Sequence, residues 1–192
     1  MQKLIFLIIS IALLQSCNNK TTEIEELPSD SIFHLTSNWQ NQHGEDLKLN
    51  DLRGKTLVVV MIYTSCQVAC PILVADMKKI ENQINKKYLN KTSLVLVTID
   101  PENDTPDVLK KFAETRDLTE AHWVFLRSNS LATQEFANVL SMKYKKISPI
   151  DFSHSNIISV FDPNGTLVMQ EEGTGINSKK VADKVNDIVK NS

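Results

Sequence analysis

Cysteine is scarce, with three residues in a chain of 192. That is too few to staple a small loop-rich fold with disulfides, so the core must hold by packing and each cysteine can be questioned separately. A dominant charge sign is also missing: 21 Lys and Arg stand against 23 Asp and Glu, which offers no basic footprint for a phosphate backbone and sets nucleic acid aside as a partner. No internal repeat is visible, and no cluster of methionines gathers thioethers. The acidic stretch 100–106 lacks the glycine pattern that cradles phosphate. What remains, 42% apolar and 23% charged residues, is the balance of an ordinary globular domain and excludes a disordered polymer.

Long apolar runs are absent too. Met1-Gln2-Lys3 is a short basic start, and residues 4–14 are apolar except for Ser10, the pattern of a signal peptide. As a helix that run reaches roughly 16 Å, against a hydrocarbon core of about 30 Å, so it targets rather than spans. Leu14-Gln15-Ser16-Cys17 follows and resembles the lipobox of bacterial lipoproteins. That resemblance makes residues 1–16 a cleaved signal peptide and Cys17 the lipidated first residue of an exported lipoprotein, facing the periplasm or the cell exterior. Residues 17–31 then read as a lipid-anchored linker: 18–30 are polar, contain Pro28 and show no period. Fully extended, that stretch covers roughly 45 Å at about 3.5 Å per residue.

From residue 32 to 192 the pattern is that of one α/β domain. Phe33-His34-Leu35, a turn at Gly44 and the alternation of residues 46–50 suggest an N-terminal hairpin. Residues 57–63 form an unbroken apolar run rich in β-branched residues, the mark of a central strand covered on both faces. Pro71 opens a helical period over residues 71–89, and residues 93–99 and 122–126 repeat the buried-strand pattern. Thr105 and Pro106 start one helix, and Ser130 is placed to cap another through residue 140. Asp162-Pro163-Asn164-Gly165 turns a second hairpin between residues 157–161 and 166–170, and residues 178–189 close the chain as a helix. The order predicts a thioredoxin-like fold: a central mixed sheet flanked by helices, with an N-terminal hairpin and an inserted strand and helix.

Cys66 and Cys70 lie directly after the central strand and at the start of the helix that Pro71 opens, where open sheets place ligands. A helix N-terminus favours thiolate over thiol, and thiolate is the form that binds metal or attacks a disulfide. In a turn-like segment the two sulfurs can meet each other or share one soft ion, and spacing alone leaves both open. A bridge closing so small a loop contributes little stability, and exposed thiols outside the cytoplasm are kept for redox or metal use.

Tyr63-Thr64-Ser65-Cys66, Cys70-Pro71, Asp100-Pro101-Glu102-Asn103-Asp104-Thr105-Pro106, Trp123-Val124-Phe125-Leu126, and His154-Ser155 followed by Phe161-Asp162-Pro163-Asn164-Gly165 together resemble the Sco/SenC family. The resemblance implies a membrane-anchored thioredoxin-fold protein that binds copper, as Cu(I) or Cu(II), and assists assembly of the copper A centre of cytochrome c oxidase. It also implies that Cys66 and Cys70 are thiolate ligands and His154 the third ligand, placed in a loop facing the cysteines. The partner is then a copper-receiving oxidase subunit or its apo copper site, besides the membrane and a thiol reductant. Some members reduce disulfides, so a thiol-disulfide oxidoreductase with Cys66 attacking and Cys70 resolving is the alternative, and an enzymatic role stays open. Two soft thiolates suit Cu(I), an imidazole admits Cu(II), and zinc more often takes four ligands. The chain departs from the family between the cysteines, where Gln67, Val68 and Ala69 stand in place of the usual proline and acid.

A peroxidase of the peroxiredoxin kind is disfavoured, because Val59 and Tyr63 stand where that family's signature implies Pro and Thr or Ser. His34, His43 and His122 read as surface or hydrogen-bonded residues, and Met61, Met77, Met142 and Met169 as packing. The acids of residues 100–106 read as cap and turn residues, and residues 143–146 as a solvated turn. If the lipobox reading holds, mass spectrometry of the membrane fraction finds acylated Cys17 as the first residue; a soluble chain with a free amino terminus there contradicts it.

Overall fold

The computed structural model describes residues 26–148, 151–173 and 175–192. The signal segment, Cys17 and most of the expected linker lie outside the described residues. The strands are β1 (Trp39–Asn41), β2 (Asp46–Leu47), β3 (Thr56–Ile62), β4 (Thr92–Thr98), β5 (Trp123–Arg127), β6 (Tyr144–Ser148), β7 (Asp151–His154), β8 (Ile157–Phe161) and β9 (Leu167–Glu172). The helices are α1 (Ala69–Gln83), α2 (Pro106–Glu114), α3 (Ser130–Val139) and α4 (Ser178–Asn191).

Seven strands form one sheet in the order β2-β1-β5-β4-β3-β8-β9. β3, β4 and β5 run parallel, while β1 and β8 pair antiparallel at either side of them. All seven residues of β3 are buried, which is why its sequence shows no alternation: both faces are covered. α1 and α4 pack side by side, and Phe112 of α2 meets Phe125 of β5 edge-on at 6.1 Å. Trp39 of β1 and Phe136 of α3 make a second edge-on pair at 5.5 Å, extending the core to the far edge of the sheet. This is the mixed sheet flanked by helices that the sequence predicts.

Local chemistry moves several boundaries. Residues 32–34 are a 3-10 turn capped by the Ser31 hydroxyl, not a strand, because Ile32 and Phe33 are both buried and a strand would send them to opposite faces. The first hairpin is therefore β1 and β2 alone. Ser31, expected at the end of the linker, is itself buried. The helix expected over residues 71–89 stops at Gln83, since Asn85 accepts a bond from the Lys87 amide and starts a separate 3-10 turn, Lys86–Lys91. α3 is capped by Asn129 rather than Ser130, an equally good cap one residue earlier. Residues 143–146 are not a turn: from Tyr144 the chain forms β6, which pairs only with β7 as a two-stranded ribbon outside the main sheet. Its exposed Lys145 and Lys146 hide it from any hydrophobic period.

Gly165 turns the β8–β9 hairpin with φ +80°, and a Cβ there would lie 2.7 Å from the Ser31 Oγ and 2.8 Å from the Phe33 ring. Gly44 has φ +79° but open space around it. Gly44→Ala should therefore cost about 1 kcal/mol of backbone strain. Gly165→Ala should cost about 1–3 kcal/mol more, because it also displaces the buried N-terminal turn. Urea unfolding of both variants checks this, and equal losses would show that the N-terminal turn yields freely.

Candidate metal centre

β3 ends in the middle of the sheet, and the chain leaves it as Tyr63-Thr64-Ser65-Cys66. Buried Asp104, in the loop after β4, holds this segment. Its carboxylate accepts the Thr64 amide at 3.1 Å, the Thr64 hydroxyl, and the Thr98 hydroxyl from the end of β4. Burial pushes the Asp104 carboxyl up from the usual carboxylate range, opposed by these same bonds. The acids of residues 100–106 are thus more than cap residues: Thr105 caps α2 as expected, while Asp104 fixes the loop that carries Cys66.

α1 begins at Ala69, two residues before the proline expected to open it, so Cys70 sits in its first turn. Pro71 is tolerated because the first four amides of a helix have no partner inside it. The N-cap Val68 has no side chain able to cap. The Cys66 sulfur takes that part, accepting the Cys70 amide at 3.3 Å. These contacts make the two thiols unequal. Burial pushes the Cys66 thiol up, but the amides of Cys70 and Val68 outweigh it and leave Cys66 below its ordinary value. Burial dominates at Cys70 and drives its thiol far up, helped by the neighbouring Cys66 and Asp104 charges and resisted by the Tyr63 amide.

His154 is the last residue of β7, not a loop residue as expected, and the ribbon swings it over the cysteines. Its Nε2 lies 3.9 Å from the Cys70 sulfur, and its Nδ1 faces the Ser155 carbonyl at 3.2 Å. A carbonyl only accepts, so the Nδ1 proton is held there and Nε2 presents its lone pair to the sulfurs. The donor atoms of Cys66, Cys70 and His154 all lie within 4.8 Å of one another, the one such trio of metal-ligating side chains among the described residues. Donors around one ion at bond lengths of about 2.0–2.3 Å stand roughly 3.5–4 Å apart, so a contraction of about 1 Å closes the site on a metal. A cleft of about 570 Å³, lined by Tyr63, Val68, Phe152 and Asn156 among others, opens onto the trio.

The remaining histidines stay apart: His34 bonds the Pro28 carbonyl, His122 bonds Glu81, and His43 is exposed in the β1–β2 turn. Met61, Met77 and Met142 are buried and Met169 packs against the core. Tyr63 enters the sequence reading only within the motif that leads to Cys66, and nothing in the sequence marks its contact with Asp151 beside the trio.

The SCO1/SenC family profile matches residues 25–190. The chain belongs to the SCO1/SenC family. The SCO1 protein homolog of Bacillus subtilis (strain 168) is 28% identical over 153 residues, covering 78% of each chain. Among solved structures, a SCO1/SenC family lipoprotein from Bacillus anthracis str. Ames aligns at 22% identity and TM-score 0.72, over 79% of this chain and 91% of that one. Bradyrhizobium japonicum ScoI, solved with copper bound, aligns at 19% identity and TM-score 0.67, over 79% and 96%. Both structures share the fold described above. No described helix is long and apolar enough to cross a membrane.

The unequal thiols make a checkable pattern. In the reduced protein, iodoacetamide should modify Cys66 first, at a rate that rises with pH through a midpoint below the ordinary thiol value, while Cys70 stays inert across the same range. Peptide mapping reads both, and faster labelling of Cys70 would refute the assignment.

Proposed function

We propose that this protein is a membrane-tethered copper metallochaperone. It holds copper as cargo on Cys66, Cys70 and His154 and assists assembly of the copper A centre of a respiratory cytochrome c oxidase. The observation that carries the reading is the convergence of two thiols and one imidazole nitrogen within 4.8 Å in a chain of this family. The donor chemistry selects the cargo: two thiolates match the softness of Cu(I), and the imidazole keeps the set competent for Cu(II). The copper-bound ScoI structure supports it, as does the lipobox at Cys17, which tethers the site at the membrane where an oxidase subunit resides. Cys66 is the more readily ionised of the two thiols, whereas Cys70 gives up its proton on capture of the ion.

A second reading rests on that same inequality. With Cys66 inclined to ionise and Cys70 held protonated next to it, Cys66 attacks a partner disulfide and Cys70 resolves the mixed disulfide, reducing the cysteines of an apo copper site. His154 separates the two. The reduced full chain in detergent, titrated with Cu(I) against a competing chelator, should bind one ion tightly. His154→Ala should weaken binding by about 10- to 100-fold, the usual cost of losing a metal-site residue, and leave disulfide exchange intact. A folded, reduced protein that binds no copper turns the assignment to the dithiol reductase.

A further inference from the structure

The three donors sit on two separate parts of the fold. Cys66 and Cys70 belong to the β3–α1 segment of the main body, whereas His154 belongs to the β6–β7 ribbon, which among the described residues pairs with no strand of the main sheet. Among the described residues, strand pairing fixes His154 only to Tyr144 of its own ribbon. An exposed pair, Lys146 and Glu102 at 3.9 Å, reaches from the ribbon to the body, and such surface pairs hold little.

The firmer link is Tyr63. Its hydroxyl donates to the Asp151 carboxylate at the start of β7, and the Phe152 amide donates to that carboxylate at 2.9 Å and reaches the Tyr63 oxygen at 3.4 Å. Its ring packs on the Phe152 ring at 5.1 Å and meets the His154 ring edge-on at 5.9 Å and 86°. Cys66 lies three positions after Tyr63 and His154 three after Asp151, so this contact joins the two ligand-bearing segments one short step from the ligands themselves.

We propose that Tyr63, hydrogen-bonded to Asp151 and seated against the His154 ring, is a positioning residue that sets His154 Nε2 against the two sulfurs. The copper side of this inference rests on the proposed function; the placement of the ring does not. Tyr63→Phe keeps the aromatic packing and removes the hydroxyl, with both its link to Asp151 and its interaction with the Cys66 sulfur. Asp151→Ala removes the acceptor, and Asp151→Asn restores one.

The test is the same Cu(I) competition with the full chain in detergent, for each variant with His154 present and with His154→Ala. Tyr63→Phe and Asp151→Ala should each weaken binding by about 3- to 10-fold, the weight of one hydrogen bond. Their combination should be no worse than Tyr63→Phe alone, and Asp151→Asn should stay near wild type. With His154 already removed, Asp151→Ala should change nothing and Tyr63→Phe should lose less than in its presence, because only the interaction with the Cys66 sulfur remains. Equal losses in both backgrounds, or no loss in a folded Tyr63→Phe protein, overturn the proposal. Thermal melting accompanies each variant, and the Asp151 pair carries the test if Tyr63→Phe does not fold. In the metal-free protein, NMR cross-relaxation between the rings of residues 63 and 154 should fall in Asp151→Ala and recover in Asp151→Asn; an unchanged signal refutes the positioning role. If the wild type binds no copper, the proposed function fails while the ring measurement still decides this one.

Discussion

The site depends on one buried carboxylate. Asp104 gathers an amide and two hydroxyls from Thr64 and Thr98, and those bonds join the end of β4 to the segment that leaves β3. Removing the carboxylate would leave three donors short of an acceptor inside the protein, each about 1–3 kcal/mol. The loop could then not hold the Cys66 sulfur under the first turn of α1, and the difference between the two thiols would go with it. Burial of Asp104 is therefore tolerated for what it positions, since an unpaired buried charge is otherwise costly.

From that anchor the chemistry follows in order. The loop places a sulfur where a helix lacks a cap, the helix amides stabilise it as thiolate, and the second sulfur, buried one helical turn on, keeps its proton. The ribbon then lowers an imidazole whose other nitrogen is already committed to a carbonyl. Each donor is prepared by a different device, namely a helix end, burial and a second hydrogen bond.

How far the residues alone revealed this varies with the kind of pattern. β3 and β4 were legible because a strand covered on both faces must be apolar throughout, and Thr105-Pro106 was legible because a cap followed by proline has one common reading. The pair Cys66 and Cys70 was legible in its place after β3, and His154 through its setting among family motifs. The ribbon was not: Tyr-Lys-Lys-Ile-Ser has no apolar alternation, because a small two-stranded sheet lying on the surface buries little more than Phe152. Contacts across long sequence separation, such as Tyr63 with Asp151 or Thr64 with Asp104, leave no local trace at either residue. The helix start was misplaced by two residues because the cap is a cysteine, which no capping preference anticipates.

That cap has a further consequence. Because the Cys66 sulfur is the acceptor for the Cys70 amide, whatever the sulfur does next, gaining a proton, an ion or a covalent partner, changes the electron density facing that N–H. The backbone of α1 thus carries a native reporter of the chemical state of the centre, one whose resonance and solvent exchange register events at the sulfur without any label.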